Sequence, residues 1–335
     1  MTAIYSDDDA SPAALAGRRV AVLGFGNQGS AQAHNLRDSG VDSLVVGNRH
    51  DDYRQGAEAA GFRVVDIAQA AREGQVVLLL IPDEVQPTVF DAEISPQLAP
   101  GDTLVVASGY NVAFGLLAVP EGVDVAMVAP RMIGAAVRTR YLEGRPYPCF
   151  VSVERDATGQ ALARALAVAR AIGATRGGAI SSSAREEAAL DLLSEQAVWP
   201  AIIEVLEAAY EVAHAEGFSD EAILSELYLS GEPAEIMAQV AELGLFGQFR
   251  LHSQTSQYGQ LRALDRADLS GLRARFTRVL RDDILSGVFA REWSGKDGAR
   301  AIASLLARAT ARPLAVADAA VRAAAGRPAS EPPRS

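Results

Sequence analysis

The sequence has very little of what extracellular, metal-fingered or membrane-bound proteins depend on. There is a single cysteine, Cys149, so no intrachain disulfide can form. Together with only four histidines, that cysteine offers no Cys/His metal-ligand spacing. No run of about 18 apolar residues is long enough to cross a bilayer, and the start, Met1 to Asp9, lacks the basic and apolar regions of a secretory leader. Basic residues are also short: 31 Lys and Arg stand against 42 Asp and Glu, a net charge of −11. That balance argues against a general binder of nucleic acid or anionic membranes and for a small-molecule ligand. A cytoplasmic location is expected. What is present is ordinary for a globular protein: 335 residues, enough for roughly two domains, with 49% hydrophobic and 22% charged residues.

The pattern changes once along the chain, near residue 181. Before it, apolar runs alternate with Ala-rich helical segments: RRVAVLGFG from Arg18, SLVVGN, VVLLLIP, TLVVAS and DVAMVAP. This is the rhythm of βαβ units, and continuous apolar runs suit strands covered by helices on both faces. The expected fold class is α/β, with an N-terminal Rossmann-type, doubly wound parallel sheet over residues 17–181. From SSSAREE onward no comparable strand run occurs. Apolar residues recur at spacings of three and four, at Leu190, Leu193 and Ala197, then Ile202, Val205, Leu206 and Ala209, which predicts an all-helical domain over 182–325. Residues 1–16 and 326–335 read as mobile tails.

The sharpest local signal is VAVLGFGNQGSAQAHNLRDSG. Gly24, Gly26 and Gly29 form a GxGxxG pattern after an apolar strand and at the start of an amphipathic helix. Gly24 makes the tight turn, Gly26 admits a pyrophosphate, and Gly29 lets helix pack on strand. Phe25, Asn27 and Gln28 lie in the same turn, over a helix N-terminus suited to phosphate. The end of the next strand, where an adenosine ribose is met, carries Arg49, Asp51 and Asp52. The acids favour a free 2′-OH and the arginine a 2′-phosphate, so NADH and NADPH both stay open. In the second half, Asp191 and Glu195 stand four residues apart among Leu190, Leu193, Val198 and Trp199. Spacing alone fits a solvated acidic face; burial among those apolar residues would require a divalent cation or cationic partners.

Several stretches resemble the ketol-acid reductoisomerase family in its short form: GFGNQGSAQAHNLRDSGVDSLVVG, IPDEVQP from Ile81, DVAMVAP, EEAALDLLSEQAV, HSQTSQYG and GVFAREW. The resemblance covers about residues 17–295. It implies NADH or NADPH as cofactor, with Pro82, Gln86 and Gly109 lining its cleft, and a knotted helical domain. It implies Mg²⁺ held by Asp191, Glu195 and Glu226, and a homodimer whose active site is shared between subunits. Ser253 matches a serine that touches the substrate carboxylate. The chain departs from the family pattern where Ser108 replaces a histidine, Arg131 a lysine, Ala135 a histidine and Ser230 a glutamate. Glu232 is a candidate substitute for the last, although Pro233 argues against a regular helix beyond it. These departures point to an oxidoreductase acting on a small 2-oxo acid or imine, with Glu195, Arg131, Ser108 and Ser253 as candidate catalytic residues and the isomerase step weakened. Full ketol-acid reductoisomerase activity and a non-catalytic NAD(P)H-binding role are the alternatives.

Overall fold

The computed structural model describes residues 2–295 and 298–326. It divides into two compact units, Met1–Asp191 and Leu192–Arg334, ten residues later than the change of sequence pattern. All strands of the described residues lie in the first unit.

The first unit is built on one nine-stranded sheet: β1 (Ile4–Tyr5), β2 (Val20–Leu23), β3 (Leu44–Gly47), β4 (Val64–Val65), β5 (Val76–Leu79), β6 (Thr103–Val106), β7 (Asp124–Pro130), β8 (Cys149–Arg155) and β9 (Ala179–Ser181). The order is β1-β9-β8-β7-β6-β5-β2-β3-β4. The sheet is parallel from β4 across to β7, while β8 runs antiparallel to β7 and β1 antiparallel to β9. Each of the five apolar runs read from sequence contains one of these strands. Their continuity has a direct cause: Val20, Val22, Val76 and Leu78 feed one hydrophobic cluster, and Ala21, Leu23, Val77 and Leu79 feed the other. Alternate side chains point to opposite faces, so a strand covered on both sides needs apolar residues at every position. Each large aliphatic buried this way contributes about 1.5–3 kcal/mol.

The amino-terminal segment is not a tail. Ile4 and Tyr5 pair with Ile180 and Ala179, Ala10 and Leu15 are buried, and the Arg170 guanidinium donates to the carbonyls of Asp7 and Ala10 at 2.6 and 2.8 Å. Backbone hydrogen bonding and this one arginine tie down a stretch that has little apolar surface of its own. The expected carboxy-terminal tail lies, except for Gly326, outside the described residues.

The second unit is helical throughout its described residues, with long helices at Trp199–Ala215, Glu232–Leu243, Gln254–Asp265, Gly298–Thr310 and Pro313–Ala324. Its main apolar cluster is small: Tyr210, Ile223, Leu224, Ala317 and Val321. The burial expected around Leu190, Val198 and Trp199 is not met within one chain, where Trp199 is 56% exposed. Pro233 does not interrupt a helix; it sits in the first turn of Glu232–Leu243, where a missing N–H costs nothing.

Candidate active site

The glycine turn lies at the carboxyl end of β2, where the sheet order reverses: β3 pairs on one side and β5 on the other. Open α/β sheets bind ligands at this point. Gly24 has φ +97°, and a Cβ there would come within 2.8 Å of the Leu80 carbonyl oxygen. At Gly29 a Cβ would meet the Gly24 carbonyl oxygen at 2.0 Å, so the helix α1 (Asn27–Asp38) packs on the turn only because that side chain is absent. Gly26 is the contrast. Nothing lies within 4 Å of where its Cβ would be, which leaves the helix N-terminus open to a phosphate. Phe25, Gly26, Asn27, Asp52 and Gly134 line a cleft of about 500 Å³ beside it. Gln28 serves the walls instead, donating its amide to the Met132 carbonyl at 2.9 Å. A larger cleft of about 830 Å³, bordered by Arg18, Ser43 and Arg176, lies at the amino ends of β2 and β3, away from this turn.

At the end of β3 the acids and the arginine engage one another. Asp51 caps helix α2 (Asp52–Ala59), accepting from the Arg54 N–H at 3.1 Å, from the Asn48 amide at 2.8 Å and from Arg49 Nε at 2.7 Å. These contacts hold its carboxyl below the ordinary range despite the opposing effect of burial. Asn48 in turn accepts from the Phe25 N–H at 3.1 Å, fixing the β3 end against the glycine turn. Asp51 is therefore a structural cap, while Arg49 and Asp52 are exposed.

Beyond β5, Pro82 is exposed, but Gln86 is buried and fully employed. Its amide donates to the Ile81 carbonyl at 2.8 Å and to Asp83 Oδ1 at 2.9 Å, and its oxygen accepts from the Asn111 amide at 2.9 Å. Gln86 thus braces the loop. Burial raises the Asp83 carboxyl above the usual range, partly offset by a hydrogen bond from Ser108. The Ser108 hydroxyl also accepts from the Tyr110 N–H at 3.3 Å, so it shapes its own turn. Neither the Tyr110 hydroxyl nor the Asn111 side-chain oxygen, both buried, has a hydrogen-bond partner among the described residues.

The turn from Ser108 to Asn111 is seated on the helix Ala184–Leu193. A Cβ at Gly109 would lie 2.2 Å from the Ala184 carbonyl oxygen, and the Gly109 N–H donates to Glu187 Oε2 at 2.7 Å. Glu187 Oε1 accepts from Arg131 Nη1 at 2.6 Å, and Asp191 Oδ1 accepts from Nη2 of the same guanidinium at 2.5 Å. Arg131 follows β7 directly, and its guanidinium lies 5.0 Å over the Phe150 ring. Burial alone would lower the arginine; contacts with Asp191 and Glu187 raise it on balance. Glu187 is 3% exposed, and burial pushes its carboxyl up, opposed by the Gly109 and Arg131 hydrogen bonds. Glu187 escaped the sequence reading although the signal was available: it extends the four-residue spacing of Asp191 and Glu195 by one more turn. Ala135, in place of a histidine, is exposed at the start of the helix Gly134–Leu142.

The remaining candidates belong to the second unit. Glu195 lies on a π-helical turn, Ser194–Val198, and Glu226 on another, Ser225–Leu229. Both are exposed, and such turns recur at functional sites. Ser253 caps the helix Gln254–Asp265, its hydroxyl accepting from the Ser256 N–H at 3.2 Å. Ser230 is exposed ahead of Gly231, which has φ +85°. Among the described residues no group of three or more His, Cys, Asp or Glu can hold a metal ion. In the first unit Asp191 Oδ1 is engaged by Arg131.

Two family models account for nearly the whole chain: the acetohydroxy acid isomeroreductase NADPH-binding domain over residues 14–178, and the ketol-acid reductoisomerase C-terminal domain over 185–326. The chain belongs to the ketol-acid reductoisomerase family. It is 42% identical over 294 residues to putative ketol-acid reductoisomerase 3 of Saccharolobus solfataricus, covering 85% of this chain and 86% of that one. With the ketol-acid reductoisomerase (NADP(+)) of Pyrobaculum aerophilum it shares 38% identity over 317 residues, 94% of this chain and 96% of the other. Among solved structures, an NADH-preferring ketol-acid reductoisomerase from an uncultured archean superposes with a TM-score of 0.87 at 31% identity, covering 96% of this chain and 98% of that one. The chain is thus an NADPH-domain oxidoreductase of this family, with a Rossmann-like domain followed by a helical one.

Proposed function

We propose that this ketol-acid reductoisomerase family member uses NADPH or NADH to reduce a small 2-oxo acid or imine, with the isomerase step weakened or lost. The observation that carries this reading is the Arg131 guanidinium held between Glu187 and Asp191. The cofactor supplies a hydride to the carbonyl carbon. Gly26 leaves room for its pyrophosphate at the α1 N-terminus. Arg131 has five N–H donors, of which two are directed at carboxylates, so others can meet the substrate's carboxylate or polarise its carbonyl. Unlike a lysine amine, it does not move protons at neutral pH. Asp83, its carboxyl raised by burial and in contact with Ser108, is the acid of this unit suited to release a proton.

The second reading, full ketol-acid reductoisomerase activity, is favoured by relatives of that name at 38% and 42% identity over most of the chain. Supplying 2-acetolactate and, separately, 3-hydroxy-3-methyl-2-oxobutyrate with Mg²⁺ and NADPH separates the two. Oxidation of NADPH with the second compound alone supports the reductase; comparable oxidation with 2-acetolactate refutes it in favour of the second reading.

The homodimer belongs to the same proposal. Val205, Val212 and Phe246 of the helical unit are each about two-thirds exposed, and the apolar cluster of that unit is small. Apolar surface on that scale is ordinarily covered by a partner. Light scattering from the eluted protein tests it, a mass near twice that of the chain being the expected result and a monomer the contrary one.

A further inference from the structure

We propose that Arg131 acts as a built-in cation on Asp191, competing with divalent ions for that carboxylate and leaving room for no more than one of them. This rests on the family reading above but concerns metal occupancy rather than the substrate. The guanidinium is fixed from three sides: Glu187 Oε1 at 2.6 Å, Asp191 Oδ1 at 2.5 Å, and the Phe150 ring beneath it at 5.0 Å. Glu187 and Asp191 are four residues apart on the helix Ala184–Leu193, so one planar fork spans two successive turns. Glu187 cannot drift away, because its second oxygen accepts from the Gly109 N–H at 2.7 Å.

The consequence follows from counting oxygens. An aspartate that bridges two ions uses one oxygen for each. Asp191 Oδ1 is taken by Arg131, whereas Oδ2 has no partner among the described residues, and the side chain is 45% exposed. One ion can approach Oδ2, but it does so beside a fixed positive charge, which lowers its affinity. A second ion at Oδ1 has to share that oxygen with the guanidinium, against its charge, or expel it and leave Glu187, buried as it is, without its cation. The arginine provides permanent charge and hydrogen-bond donors where an ion would provide charge and a Lewis acid.

The test is Mn²⁺ binding to the full-length protein, followed by the electron paramagnetic resonance signal of the free ion, so that no turnover is required. The native protein is expected to take up no more than one Mn²⁺ per chain at Asp191. Arg131→Met should bind Mn²⁺ at least about tenfold more tightly, and adding Asp191→Asn should abolish that gain. NADPH binding by fluorescence checks that each variant folds. Should Arg131→Met fail that check, Arg131→Lys, which keeps the charge but not the fork, is the variant read, with a smaller gain expected. Tight binding of two Mn²⁺ per chain by the native protein, or affinity unchanged on removing the fork, overturns the proposal. Reduction of 3-hydroxy-3-methyl-2-oxobutyrate by the native protein, assayed separately, shows whether the reductase reading itself stands.

Discussion

Glu187 is the side chain on which the turn, the arginine and the helix converge, and replacing it gives a sizeable expected effect. In Glu187→Ala the buried Gly109 N–H loses its 2.7 Å acceptor, an unsatisfied donor that costs about 1–3 kcal/mol. Arg131 loses one of two carboxylates; since it is 27% exposed and keeps Asp191, that loss is discounted to about 1 kcal/mol. The sum is about 2–4 kcal/mol, a fall in melting temperature of roughly 4–16 °C for a unit of this size. Glu187→Gln keeps an oxygen for Gly109 but not the charge, and should fall between the native protein and Glu187→Ala. Melting is followed by circular dichroism, with turnover measured in parallel, because the Ser108–Asn111 turn and Arg131 both shift when Glu187 is lost. An alanine variant that melts within about 2 °C of the native protein and turns over at the native rate would refute the reasoning.

Other expectations follow from contacts elsewhere in the first unit. Asp83→Asn should be more stable than the native protein at neutral pH. A carboxyl raised by folding favours the folded state only while protonated, and that contribution is lost as pH rises through its raised value. The advantage of the variant should close in acid, and melting curves across that range that stay parallel contradict it. Arg49→Ala should lower kcat/KM for NADPH relative to NADH by about tenfold, since a 2′-phosphate loses a charge partner; an unchanged ratio places the phosphate elsewhere. Asp124 is fully buried and accepts from Arg164, Thr103, Ala157 and Thr158. Asp124→Ala should cost about 3–5 kcal/mol by leaving the guanidinium without its carboxylate, and a melting curve like that of the native protein would count against it.

The parts of the fold that were legible in the sequence are those with a strong local cause. Strands β2, β3, β5, β6 and β7 need apolar residues on both faces, and the glycine turn needs glycine at Gly24 and Gly29, where a Cβ would collide with backbone. Less legible were β8, whose Glu154 and Arg155 break the apolar run, and β1, two residues held by pairing with β9. Long-range pairing of this kind leaves almost no mark in a short segment. In the site, Arg131 and Asp191 were each recognisable, but their ion pair was not, because it joins the end of β7 to a helix 60 residues later. For Gln86 and Asp51 the residue type was legible but the hydrogen bonds to backbone and neighbouring side chains were not. Cys149 is buried, and burial pushes its thiol up to about 12.

The central claim is that reduction is retained while the step before it is impaired. It is tested most directly by NADPH oxidation at 340 nm under one set of conditions, with either 2-acetolactate or 3-hydroxy-3-methyl-2-oxobutyrate as the only substrate. The account predicts turnover with the second compound and a rate at least about tenfold lower with the first, a barrier difference of about 1.4 kcal/mol or more. Equal rates with the two substrates would contradict it.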